Sequence, residues 1–319
     1  MFSDHLPCPC KSGLLVSDCS CKEQGFVPNQ LRTRAGGLVT GVQVAGCYAA
    51  ALNDCGGSLD REHPISKSVL KVLSKGKKHV TVSNHRWQKG GVFNTVGLDG
   101  LSAHLLCERH NNAMSPLDNL ARRFVEALLD CSSHVVNNSG GDFHRLFNGF
   151  DIERWMLKVL CGVQFAQQIP GLLINKRWAP PIEWLAIIFE GTQFPRLCGM
   201  YCRKAHRRRA LSETSIYVQP RFGREVLIDR SGCPIFSRGD RRFVIGVEIT
   251  LFDLELCLFM RPMLDQGQWS YRTSAHRFSV DVQKGCSAYL HLRWPGMVPS
   301  FAGVVAKDEI KVSSPHVSR

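Results

Sequence analysis

The sequence predicts an α+β, multidomain chain, and three observations carry that prediction. Cysteines crowd the first 25 residues, where little else can form a core. Apolar residues recur at helical spacing from Leu117 to Leu129 and again from Trp155 to Phe165. From about Ser215 onward, short runs of β-branched and aromatic residues alternate with turn signals. Together they divide the chain into a small cysteine-rich unit (1–25), a metal-bearing unit (46–118), a helical region (119–210) and a β-rich accessory region (211–319). At 319 residues and 44% hydrophobic content, the chain is long and apolar enough for real cores.

The first unit holds Cys8-Pro9-Cys10 and Cys19-Ser20-Cys21, a C-x-C-x8-C-x-C array. Thiols this dense in so short a segment supply folding energy by binding zinc rather than by packing. The array resembles the SEC-C motif in its Cys-Pro-Cys start and eight-residue gap. It departs at Lys11, where the motif has glycine, and at Cys21, where the fourth ligand ordinarily follows the third directly. The resemblance implies a closed zinc site of Cys8, Cys10, Cys19 and Cys21, used for docking or contact with a protein partner. From Val27 to Gly46, Arg32, Arg34, Gly36, Gly37 and Gly41 read as a linker into the first strand.

Chemistry concentrates between Cys47 and Asn111. Cys107 and His110 form a C-x2-H pair suited to a turn that opens a helix, and Cys47 and Cys55 form a wider C-x7-C pair. The four make a closed set of three thiolates and one imidazole, the kind that braces a fold without reacting. Glu62-His63 sets a hard carboxylate beside an imidazole that can accept a proton near neutral pH. Asn111 adds a carbonyl oxygen next to the last thiol and imidazole pair. Phosphodiester cleavage needs a cation on the phosphate and a base for the attacking water, and this stretch offers both.

Cys47, Cys55, Glu62-His63 and Leu106-Cys107-x-x-His110-Asn111 resemble the HNH endonucleases of the ββα-metal class in a zinc-stabilised form. The likeness covers about 70 residues, from Cys47 to roughly Asp118. It implies a ββα-metal HNH unit with His63 as general base and with Glu62 and Asn111 as ligands of Mg²⁺ or Mn²⁺. Cys47, Cys55, Cys107 and His110 would hold structural Zn²⁺, with His110 where the family ordinarily has a cysteine. The family also has an asparagine shortly before the Leu-Cys element that orients the histidine. Here Asp99-Gly100-Leu101-Ser102-Ala103-His104 stands there, so Asn94, Asp99 and His104 all remain open for that role.

Between His63 and Cys107, Ser66 to Leu73 shows helical spacing, and Lys75-Gly76-Lys77-Lys78 suits phosphate contact or a solvated loop. Val80 to Trp87 reads as a strand. A helix is expected to start at Ser115, with Pro116 in its first turn, and a second to run from about Asp151 to Gln167. Asn137-Asn138-Ser139-Gly140-Gly141 marks a loop between them. Cys198, Cys202 and His206 have ligand-like spacing but no fourth partner, so buried thiols are the expectation. The run Arg203 to Arg209 suits a nucleic-acid contact or a solvated loop.

Strands are expected at Ser215–Val218, Glu225–Ile228, Phe243–Met260, Phe278–Val282 and Ala288–Trp294. That half carries no acid pair, nucleophile triad or phosphate loop and reads as a module that recognises a target or partner. A formal charge of +13 attracts polyanions, and nucleic acid suits a metal nuclease better than a membrane does. Met1 to His5 is polar rather than signal-like, and Trp184 to Phe189, the longest apolar run, is far too short to span a bilayer. A cytoplasmic setting with reduced thiols is therefore expected for the fourteen cysteines. The expected function is a metal-dependent HNH endonuclease acting on DNA, in a phage-defence or mobile-element context. The alternatives are a non-catalytic, zinc-dependent nucleic-acid-binding protein and an adaptor.

Overall fold

The computed structural model describes residues 8, 10, 14–19, 28–83, 93–137, 139–166, 178–204, 216–224, 226–228, 234–236, 242–251, 254–261, 270–271, 275–279, 286–294 and 309–311. The chain has a mixed α and β architecture with several small sheets. Strand β1 (Leu59–Glu62) is followed by helix α1 (Lys67–Leu73), the hairpin β2 (His79–Ser83) and β3 (Phe93–Gly97), and strand β4 (Ala103–Cys107). Helix α2 (Glu108–Val136), strand β5 (Gly141–Asn148) and helix α3 (Gly149–Phe165) come next. A single turn of helix, α4 (Ile182–Leu185), precedes the strands of the second half.

Five of those strands form one antiparallel sheet in the order β12-β6-β11-β10-β7, with β6 at Gly199–Lys204, β7 at Ile216–Arg224, β10 at Arg242–Leu251, β11 at Leu254–Phe259 and β12 at Ser270–Tyr271. The short pair β8 (Val226–Ile228) and β9 (Pro234–Phe236) stands beside it in sequence. A second sheet runs β15-β13-β14-β5, with β13 at Ala275–Ser279, β14 at Cys286–Arg293 and β15 at Glu309–Lys311. In it β14 lies parallel to β5, from Cys286 opposite Gly141 to Arg293 opposite Asn148. The helical and β-rich regions thereby share a sheet and one apolar core, which runs from Cys47 through Trp155 to Trp294.

Helix α3 is the axis of that core. Asn148 caps it, its side chain accepting from the Phe150 amide at 3.0 Å. Every residue from Gly149 to Gln164 is buried, charged ones included. An apolar stripe alone would have left those charges on the water side, and each instead has a partner. Arg154 pairs with Asp151 at 2.8 Å, Glu153 accepts from the Met200 amide at 2.8 Å, and Lys158 lies between Glu62 and Asp118. Close approach explains two glycines. A Cβ on Gly149 would overlap the Trp294 ring, and one on Gly162 would lie 3.1 Å from the Pro64 backbone.

Several expectations are met closely. Helix α1 buries Val69, Leu70 and Leu73, and α3 spans nearly the expected residues. The run Phe243–Met260, expected as one strand, is instead two, β10 and β11, folded back on each other. Two further readings need correction. The long helix starts at Glu108, not after Ser115, and carries Pro116 inside it. The Cys107–His110 turn opens the helix a full two turns before the proline, which then lies within it. The expected linker before Gly46 is a strap instead. Thr33 is buried, and Arg154 donates to the carbonyls of Leu31 at 2.9 Å and Ile187 at 3.0 Å. The expected strand Val80 to Trp87 is described only to Ser83, and Trp87, the basic run beyond Lys204 and His206 lie outside the described residues. No helix among the described residues is long and apolar enough to cross a membrane.

Candidate metal centre

Four side chains converge where β4 passes into α2. Cys107 ends the strand, His110 sits in the first turn of the helix, and Cys47 and Cys55 approach from the loop before β1. Their ligand atoms all lie within 4.8 Å of one another. His110 Nδ1 is 3.6 Å from Cys47 Sγ, 3.7 Å from Cys55 Sγ and 3.2 Å from Cys107 Sγ. Zinc–sulfur and zinc–nitrogen bonds of ordinary length, set tetrahedrally, would separate such atoms by about 3.6 Å. The donor set and its spacing therefore fit zinc, and with four protein ligands no position stays open for a reacting group.

The surroundings support the same reading. All four residues are buried, and burial pushes the Cys47 and Cys55 thiols up. The Gly56 amide donates to Cys107 Sγ at 3.5 Å, and the His110 ring lies edge-on to Phe189 at 4.9 Å. Arg109, between two ligands in sequence, forks onto Asp54 at 3.0 and 3.2 Å. It also donates to the carbonyls of Gly36 at 2.8 Å and Leu38 at 3.1 Å, tying the strap to this centre.

A second centre gathers Cys8, Cys10 and Cys19, with Cys10 Sγ and Cys19 Sγ 3.5 Å apart. The expected fourth ligand, Cys21, lies outside the described residues. This unit packs on the rest of the molecule. Val16 and Leu146 of β5 are buried together, and Arg123 of α2 donates to the Cys10 carbonyl at 2.6 Å. Cys198 and Cys202 are buried in the apolar core, as expected, and His206 lies outside the described residues.

His63 follows β1 and is largely buried. Its Nε2 lies 3.1 Å from the Leu98 carbonyl oxygen. A carbonyl can only accept, so Nε2 carries the ring proton and Nδ1 offers the lone pair. Burial lowers the His63 pKa, against the opposing effect of that hydrogen bond, so the ring is neutral at pH 7. The side chains considered for orienting it have other partners or places: Asp99, close enough for its charge to act on His63, pairs with Lys67 at 2.6 Å, His104 faces the Leu59 carbonyl at 3.3 Å, and Asn94 is in β3. A main-chain carbonyl holds the ring, and a main-chain group leaves no mark in a residue pattern.

Glu62 and Asn111 take different partners. Glu62 is buried against Lys158, which also meets Asp118 at 2.6 Å and the His63 carbonyl at 3.3 Å. Burial pushes the Glu62 carboxyl up, and the lysine beside it opposes that. Burial alone would lower Lys158, but Asp118 and Glu62 overcome it and hold the ammonium charged. The network continues through Ser66, whose hydroxyl donates to Asp118 and accepts from Trp155 Nε1 at 3.2 Å. Asn111, in the first turns of α2, donates from Nδ2 to Asp60 Oδ2 at 2.7 Å. Asp60, Lys158 and Asp118 carry no motif signal. The one trace of Asp60 in the sequence is its place two residues before Glu62 in a strand.

Strands β1 and β4 pair antiparallel, Leu59 opposite Cys107 and Glu62 opposite Ala103. Between Asp60 opposite Leu106 and Arg61 opposite His104 the register slips, so Leu105 bulges. Two strands thus lead into one helix, with a four-ligand cluster at the last strand–helix junction. Comparison of the chain with protein-family models, with curated proteins and with solved structures finds no match.

Proposed function

We propose that the chain is a metal-dependent endonuclease of the HNH type that hydrolyses DNA phosphodiester bonds. The observation that carries this reading is the state of His63: its Nε2 proton is anchored on the Leu98 carbonyl, and its neutral Nδ1 is left as a base. A water at Nδ1 loses its proton to the ring as its oxygen attacks phosphorus, and the 3′ or 5′ oxygen departs. A divalent cation bound beside Asn111 would supply charge stabilisation at the phosphate and the leaving oxygen. The zinc-type cluster holds β4, α2 and the Cys47–Cys55 loop in one frame, and the +13 formal charge draws in the polyanion.

One observation favours a second reading, a zinc-braced module that binds nucleic acid without cutting it. The Glu62 carboxylate, the acid next to His63, faces an ammonium rather than an open site. Nicking of supercoiled plasmid by the wild type and His63→Ala, with Mn²⁺ or Mg²⁺ and with chelator, separates the two. Nicking by the wild type alone, abolished by chelator, is expected. No nicking by folded, zinc-loaded wild type that still binds plasmid salt-dependently would favour the binding module.

A further inference from the structure

We infer that Asp60, together with the side-chain carbonyl of Asn111, forms the divalent-cation site of this unit, and that Glu62 is a structural ion-pair partner. This inference rests on the nuclease reading and names its metal ligands. Glu62 and Asp60 stand two apart on β1, and in a regular strand they would share one face. The bulge at Leu105 falls opposite the step between Asp60 and Arg61 and divides the strand there. On one side of it Glu62 is buried against Lys158 of α3. On the other, Asp60 reaches the start of α2 and meets Asn111.

The chemistry of the two carboxylates differs accordingly. A divalent cation placed at Glu62 would face the Lys158 ammonium, which is fixed there by Asp118 and the His63 carbonyl as well. Displacing that ammonium would leave it buried and short of a partner. Asp60 is only partly buried, and no cationic side chain pairs with it among the described residues; its Oδ1 accepts from the Arg61 amide at 2.7 Å and its Oδ2 from Asn111. A carboxylate offers about four lone-pair directions, so each oxygen keeps one for a metal. Asn111 bonds through its nitrogen, which leaves Oδ1 as a hard oxygen donor beside the carboxylate. His110, next in sequence to Asn111, is held by the zinc-type cluster, so the helix turn that carries the donor is fixed in place.

The test is Mn²⁺ binding to the full, zinc-loaded chain, read from the electron paramagnetic resonance signal of free Mn²⁺. Wild type and Glu62→Gln are expected to bind one Mn²⁺ with similar affinity. Asp60→Asn and Asn111→Ala, each checked for zinc content and thermal melting, are expected to weaken binding at least tenfold. Wild-type affinity in a folded Asp60→Asn chain, or loss of binding in folded Glu62→Gln, overturns the assignment. Should that happen while plasmid nicking still depends on His63, the nuclease reading survives without it. A wild type that neither binds Mn²⁺ nor nicks DNA overturns both.

Discussion

The ammonium of Lys158 lies 2.6 Å from Asp118 Oδ1, joining the middle of α3 to α2 through a lysine that is fully buried and an acid that is partly exposed. Its other carboxylate partner is Glu62, so one lysine ties both helices to the strand that leads into His63. Lys158→Met would leave two acids facing an apolar chain. Breaking a buried ion pair from one side costs about 3–5 kcal/mol. Urea unfolding of zinc-loaded protein should show a loss of that size, with Asp118→Asn costing less because Glu62 remains as a partner.

The two thiol centres predict metal content. Purified chain is expected to hold two zinc ions, and Cys107→Ser to hold one. Loss of the Cys107 centre should also lower the melting temperature strongly, because its ligands join β4, α2 and the loop before β1. Cys8→Ser should remove the other ion with a smaller effect on melting. Atomic emission for zinc and differential scanning calorimetry check both statements, and equal melting shifts would count against this ranking.

How much of this was legible varied with the chemistry. Cys47, Cys55, Cys107 and His110 were readable because thiols and an imidazole at such spacing have few other uses, and the structure brings their ligand atoms together. The strand character of β10, β11 and β14 was readable from residue type, but not the turn that splits β10 from β11, the start of β13, or β12. Lys158 was not, because a charge in an otherwise apolar helix looks like a solvent-facing position. Its burial depends on Asp118, 40 residues away. The anchor of His63 was invisible for a different reason: it is the main chain of Leu98, and any residue there would supply it. The divergence of Asp60 from Glu62 depends on a bulge in the partner strand, which no alternation pattern within β1 records.

Acid should destabilise the fold through the His144–His291 pair, whose Nδ1 and Nε2 lie 2.9 Å apart. Burial, and then the neighbouring imidazole, pushes His291 down to about 3, and burial also lowers His144. Both folded values are below the unfolded one of about 6.5. Between them the unfolded chain binds more protons, so stability falls as pH drops from about 6.5 towards 3 and is flat above neutrality. The slope is at most about 1.4 kcal/mol per pH unit for each group. Urea midpoints measured at pH 7, 6 and 5 should fall in that order, and His144→Gln with His291→Gln should flatten the trend.

Gly149 opens α3 against the Trp294 ring. Gly149→Ala puts a methyl where that ring lies, and overpacking of this kind costs about 1–3 kcal/mol. A lower melting temperature is expected, relieved by Trp294→Leu in the double variant. If the single change is neutral, the ring has room to move that the packing does not suggest.

The parallel pairing of β5 with β14 has a consequence for how the chain is made. His144 and His291 sit side by side in that sheet, yet 147 residues separate them in the order of synthesis. At ordinary translation rates the ribosome needs about 7–30 s to cover such an interval. Throughout it, β5 lacks β14, its one strand partner among the described residues, and α3 has no Trp294 to pack its first turn. The nascent chain thus carries the edge that later meets β14 unpaired and aggregation-prone until its β-rich half emerges. Slowed translation across that half, or a stop before Trp294, should therefore reduce the soluble yield of the whole chain rather than release a working N-terminal piece.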